Sequence, residues 1–234
     1  FQRETVEDAF EAVHGHGLSC VQFNWETAGL PGMPDSVSLE LCTRVRETAA
    51  NFGISISAVS GTFNIIHPDA EERRCGFQRL RQVIGSCQYL GTSVVTLCTG
   101  TCNPDHLLGY HPDNASPQAW KEAVASLTEA ASYAEEFGVD LALEPEVSNV
   151  VDSAVKARQM MDEVGSPRLN IVMDGANIFH EGELTRMDEM LREAFALLGT
   201  NTVLAHGKDL ERDGEAGNLA AGTGALNYEL YLNL

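Results

Sequence analysis

The chain has 234 residues, 44% hydrophobic and 21% charged, a length and balance that fit one globular domain (1–234) with a substantial core. With 15 Lys+Arg against 34 Asp+Glu its formal charge is -19, which leaves little basic surface for a phosphate backbone and argues against nucleic acid as a partner. No run approaches the roughly 20 apolar residues that span a bilayer, and no basic, apolar, small-residue leader opens the chain, so no membrane association and a cytoplasmic location are expected.

Helical and strand-like stretches alternate along the chain. The pattern predicts helix over 5–14, strand over 19–23, helix over 39–52, strand over 54–59, helix over 70–90 and strand over 93–97. It continues with helix over 117–137, strand over 140–143, helix over 148–164, strand over 170–173, helix over 184–198, strand over 202–205 and helix over 227–234. Gly17, Gly53, Gly91 and Gly138 punctuate helix-to-strand joints, where a left-handed residue ends a helix. The strands are nearly continuous apolar runs, as in a parallel sheet covered by helices. Repeated β-α units with right-handed crossovers give an α/β fold. Thr5-Val-Glu-Asp8 reads as a capping box with no strand before it, and the last helix is followed by none. The expectation is a (β/α)8 TIM barrel lacking its first and last strands in this chain; an open doubly wound sheet is the alternative, without a Gly-rich phosphate loop to support it.

Six cysteines form no CxxC pair and read as reduced thiols; Cys98-x-x-x-Cys102 is half a zinc site without a second half. The irregular region 99–116, with His111, follows a strand and reads as an active-site loop.

Three apolar runs end in metal-capable side chains. They are Leu141-Ala-Leu-Glu144-Pro-Glu146, Ile171-Val-Met-Asp174 and Val203-Leu-Ala-His206-Gly-Lys208-Asp209. Parallel strands present the same end, so two carboxylates and an imidazole can converge into a cage for a divalent cation with open positions. An ionised carboxylate at the end of an apolar run is costly unless paired or ligating, which singles out Glu144 as ligand or general base. Asp174 has an N-cap role as its competitor. Lys208 can neutralise a developing oxyanion, or pair with Asp209 or Glu146. Asn177 can reach a substrate through its amide; Asn64 and His67, beyond the second strand, are candidates for substrate hydrogen bonds.

Together, Asn64-x-x-His67-Pro, Glu144-Pro-Glu146, Asp174-x-x-Asn177, His206-x-Lys208-Asp209 and Gly222-Thr-Gly224 resemble the xylose-isomerase-like TIM barrels, the sugar phosphate isomerase/epimerase superfamily. The resemblance covers essentially the whole chain. It implies one divalent metal ion (Mn2+, Co2+, Mg2+ or Zn2+) held by Glu144, Asp174 and His206, with Glu144 and Lys208 catalytic and Asn64, His67, Glu146 and Asn177 on the substrate. It further implies a small sugar or polyol as substrate, with a homo-oligomer compatible. Asn177 stands where many members have His, and the last-strand Glu that many members use as a ligand and second base has no counterpart here. The activity implied is isomerisation or epimerisation by proton abstraction beside a carbonyl, through an enediolate. A keto-polyol dehydratase of the inosose type shares that first step. An AP endonuclease of the same superfamily needs more histidines than Asp209-Leu-Glu-Arg212-Asp213 provides, and a non-catalytic sugar-binding module is the remaining reading.

Overall fold

The computed structural model describes residues 3–234. Strands β1 (Cys20–Phe23), β2 (Ser55–Ser60), β3 (Val94–Leu97), β4 (Asp140–Leu143), β5 (Leu169–Asp174) and β6 (Thr202–His206) form one sheet in the order β1-β2-β3-β4-β5-β6. Every neighbouring pair is parallel. Between and around them run α1 (Val6–Gly15), α2 (Leu39–Asn51), α3 (Ala70–Leu90), α4 (Pro117–Phe137), α5 (Ala154–Val164) and α6 (Met187–Leu198).

This strand order decides between barrel and doubly wound sheet. A doubly wound sheet reverses its order at a switch point, sending helices to both faces. Here the order never reverses, so right-handed crossovers put every helix on one side, and α1 to α6 pack each against the next. The other face curls inward. Gln22 on β1 reaches Thr96 on β3 and His206 on β6, which only a strongly concave sheet allows. The fold is that of a TIM barrel, with six of its strands present among the described residues.

Local chemistry explains the elements. Thr5 Oγ1 accepts from the Asp8 amide and bonds the Asp8 carboxylate, as the capping-box reading expects. Ser38, Asp69, Ser116 and Ser153 likewise accept amide protons at the starts of α2 to α5. The four glycines predicted to end helices all take positive φ. Helix α3 buries Phe77, Leu80, Ile84 and Cys87, spaced on one face, while α4 buries Leu127 together with Ala123, Ala130 and Ala134, whose small side chains let it lie close to the sheet.

Two stretches depart from the sequence reading. Residues 148–153 are not helix; α5 starts at Ala154, and Val147, Ser148, Asn149, Val150 and Val151 are instead a buried loop. The reason is tertiary: Val150 N–H bonds Gly100 O and Val151 N–H bonds Thr99 Oγ1, tying the loop after β4 to the loop after β3. Beyond β6, a two-residue antiparallel pair, β7 (Lys208–Asp209) with β8 (Leu219–Ala220), precedes α7 (Tyr228–Asn233). Among the described residues no helix is long and apolar enough to cross a membrane.

Candidate metal and active site

Strand register builds the site. Asp174 and His206 are the last residues of β5 and β6 and are direct partners in the ladder. Glu144 extends β4 by one residue, its amide donating to Leu97 O at 2.9 Å. All three side chains therefore leave the carboxyl ends of adjacent strands, where barrel active sites sit.

Their ligand atoms converge. One atom from each of Glu144, Asp174 and His206 lies within 4.8 Å of the others, the one such cluster of His, Cys, Asp and Glu among the described residues. His206 Nδ1 lies 3.4 Å from Glu144 Oε1 and 3.5 Å from Asp174 Oδ2. Asp174 is 1% exposed. Its Oδ1 accepts the Ala176 amide at 2.9 Å, whereas the buried Oδ2 has no hydrogen bond and meets only the Lys208 ammonium at 3.0 Å and the His206 ring. Lys208 Nζ also stands 4.0 Å from Glu144 Oε1. The Asn177 amide donates to Glu144 Oε1 at 2.6 Å, and its own buried Oδ1 is unpartnered.

This donor set suits a divalent cation: two oxygens and one imidazole nitrogen, with a buried carboxylate oxygen that no hydrogen bond uses. The electrostatics agree. Burial opposes a charged ring at His206, yet Asp174 and Glu144 outweigh it and push its pKa up to about 9. Burial also works against the Asp174 carboxylate, but His206, Lys208 and the Ala176 amide hold its pKa below the usual range. Two positive groups thus face the carboxylates where one metal ion would serve. The Cys98 thiol, buried beside Glu144, is pushed up to about 12 and stays protonated.

The remaining predicted residues divide. Asn177 and Lys208 join the triad. Asn64 does not: its amide bonds the Thr101 carbonyl and amide and the Ile66 amide, clamping the loops after β2 and β3. His67 lies in the same loop, its ring engaged by Pro104 O at 3.0 Å and the Asp69 amide. Glu146 is buried, which raises its pKa, and turns into its own loop, accepting from the Ser148 amide and the Asn149 side chain. Asn149 in turn accepts the Gly100 amide, so Glu146 braces the wall behind Glu144.

Asp209 is fully buried, but it pairs with neither Lys208 nor the triad. Its carboxylate accepts the amides of Leu210, Gly224 and Leu226, each at 2.9 Å. Burial opposes its charge, and these amides hold its pKa down. Gly222-Thr-Gly224 is shaped by this clamp, since a Cβ on Gly224 would overlap the Leu210 carbonyl and the Asp209 carboxylate. Asp209→Ala should cost on the order of 3 kcal/mol, because three amides lose their acceptor in the interior. Urea unfolding measures this, and a loss below about 1 kcal/mol would mean that water replaces the clamp.

Three contributors escape the sequence reading. Gln22 Oε1 faces His206 Nε2 across 2.9 Å as an acceptor. Tyr231 donates to Met173 O at 2.8 Å, with His206 O at 3.2 Å, holding the ends of β5 and β6 together. Tyr228 donates to Lys208 O at 2.7 Å. The available signals were faint: a lone polar residue in Val21-Gln22-Phe23, and two tyrosines three residues apart in the last helix.

Comparison with known proteins agrees with the fold. No curated protein matches the chain by sequence. Among solved structures, 3-keto-D-glucoside 4-epimerase from E. coli aligns at TM-score 0.72 and 15% identity, over 100% of this chain and 82% of that one. A probable 3-DHS dehydratase from Bacillus anthracis aligns at TM-score 0.74 and 15% identity, over 99% and 84%. The IOLI protein, solved with a zinc atom, aligns at TM-score 0.71 and 20% identity, over 98% and 79%. At these identities the likeness establishes the fold. The sequence profile of the xylose isomerase-like TIM barrels matches residues 10–234, and the chain belongs to that family.

Proposed function

We propose that this protein is a divalent-metal-dependent isomerase or epimerase of a small sugar or keto-polyol, which moves a proton beside a carbonyl. The observation that carries this reading is the convergence of Glu144, Asp174 and His206 at the carboxyl ends of β4 to β6. Glu144, Asp174 and His206 would hold a divalent cation (Mn2+, Co2+, Mg2+ or Zn2+), which would supply Lewis acidity to polarise the substrate carbonyl and acidify the adjacent C–H.

The chain's own groups do the rest. Glu144 is partly exposed, and Asn177 holds its Oε1, so the carboxylate is oriented to accept the proton. The C–H bond breaks, its electron pair becomes the C=C of an enediolate, and the proton passes to the Glu144 carboxylate. The Lys208 ammonium, 3.0 Å from Asp174, adds positive charge next to the developing oxyanion. Asn177 Oδ1, buried and unpartnered, is an acceptor for a substrate hydroxyl. Return of the proton to the former carbonyl carbon, with the hydroxyl proton passing to the former carbonyl oxygen, isomerises; delivery of a proton to the opposite face of the original carbon epimerises. Loss of a neighbouring hydroxyl as water from the same enediolate would make a dehydratase, a reading favoured by the fold likeness to the probable 3-DHS dehydratase.

Solvent deuterium exchange into a panel of ketoses and inososes, followed by proton NMR with Mn2+ or Co2+ added, tests the proton step. Exchange into at least one compound is expected, and Glu144→Gln should slow it by about 10²–10⁴-fold. Exchange that survives Glu144→Gln removes the assigned base. Absence of exchange across the panel removes the isomerase and dehydratase readings together.

A further inference from the structure

We propose that Gln22 is a positioning residue for the metal site: it accepts the Nε2 proton of His206 and so presents Nδ1 to Glu144 and Asp174. The inference rests on the metal reading above and adds a residue from the far side of the barrel.

An imidazole ligates a cation only through a nitrogen that carries a lone pair, and its other nitrogen then carries the proton. At this site the nitrogen facing the two carboxylates is Nδ1, at 3.4 Å from Glu144 Oε1 and 3.5 Å from Asp174 Oδ2. The proton therefore belongs on Nε2, and a half-buried N–H facing the sheet interior needs an acceptor. Gln22 Oε1 lies 2.9 Å from Nε2, and a carbonyl oxygen can only accept. The other end of the same amide is committed elsewhere: Gln22 Nε2 donates to Thr96 Oγ1 at 3.1 Å, and Thr96 is 2% exposed on β3. A chain of hydrogen bonds thus runs from β3 through β1 to β6, across the concave face of the sheet. It holds the ring plane and the identity of the free nitrogen. The same geometry serves the metal-free protein, in which Gln22 Oε1 faces His206 Nε2 at the same 2.9 Å.

Gln22 sits in an otherwise apolar strand, where leucine would fill the space without bonding. That makes Gln22→Leu the natural probe and Gln22→Glu its acceptor-retaining control. Two readouts separate positioning from packing. The first, in metal-free protein, is the His206 Nε2–H signal in proton–nitrogen correlation spectra, assigned by its loss in His206→Ala. It should be protected from solvent exchange in the wild type and in Gln22→Glu, and lost in Gln22→Leu. The second is calorimetric titration with Mn2+ or Zn2+. Gln22→Leu should weaken binding by about 10–100-fold, the usual effect of removing an outer hydrogen-bonding partner, while Gln22→Glu binds at least as tightly as wild type. Thr96→Val, which frees the amide but spares its oxygen, should fall between the two. A protected Nε2–H signal that persists in Gln22→Leu, or unchanged metal affinity in that variant, overturns the proposal. If wild type binds neither ion, the metal reading fails by itself, and the metal-free spectra still decide whether Gln22 holds the ring.

Discussion

Asp174→Ala removes tight binding of Mn2+ or Zn2+ and destabilises the metal-free protein. Asp174 is the most buried member of the triad, and its Oδ2 is the oxygen that Lys208 at 3.0 Å and His206 at 3.5 Å both face. Taking it away deletes one of the three proposed ligands, so the loss of affinity should exceed the roughly 10–100-fold typical of an outer partner. It also leaves two positive groups facing each other with only Glu144 between them. Breaking a buried ion pair from one side costs about 3–5 kcal/mol. Because the Lys208 and His206 side chains keep 30% and 25% exposure and can draw on water, the lower end of that range is expected. Asp174→Asn keeps the volume and an acceptor for the Ala176 amide, and should lose the metal while folding better than the alanine variant. Calorimetric titration and urea unfolding report the two effects separately. Wild-type metal affinity in both variants would place any cation somewhere other than this triad.

Metal affinity rises with pH, while the stability of the metal-free protein falls as pH climbs past neutrality. The cause is His206, whose pKa is pushed from 6.5 up to about 9 by Asp174 and Glu144 against the opposing effect of burial. A raised pKa in the folded state contributes stability that is fully present below about pH 6.5 and gone once pH passes about 9. At 1.36 kcal/mol per unit the ceiling is about 3 kcal/mol. Asp174 works in the opposite direction: its lowered pKa contributes above its ordinary value of 3.8 and is lost on acidification. Metal-free stability from this pair therefore peaks between roughly pH 4 and 6.5. A cation, by contrast, must displace the Nδ1 proton, so each ion bound releases about one proton and affinity gains about tenfold per pH unit between pH 6 and 8. Melting curves in chelator at pH 6 and pH 10, set against His206→Gln, isolate the first effect. Titrations in buffers of different protonation enthalpy count the proton. Affinity that is flat with pH would mean that the His206 ring is already neutral when the ion arrives.

The order of elements, the glycine-ended helices and the three metal-capable strand-end residues were legible in the linear chain because each is a local property. Apolar runs, left-handed stops and the residue type that ends a run need no knowledge of distant partners. Glu144, Asp174 and His206 converge because parallel strands share a direction, and that too follows from the alternation of helix and strand. Repeated β-α units do not by themselves separate a barrel from an open sheet. Here the unreversed strand order decided the matter.

What only the tertiary structure decided is where the other polar side chains spend their hydrogen bonds. Asn64 and Glu146 carry the right chemistry for a substrate, yet both serve loop amides and carbonyls. Asp209 follows Lys208 directly and still turns to residues 224 and 226. The stretch 148–153 reads as the start of a helix, but its Val150 and Val151 amides answer to the loop after β3. Gln22 and His206 are 184 positions apart and meet only because the sheet curls. A buried polar atom must find a partner, and curvature and register, which arise from packing the whole chain, determine which partner lies within reach.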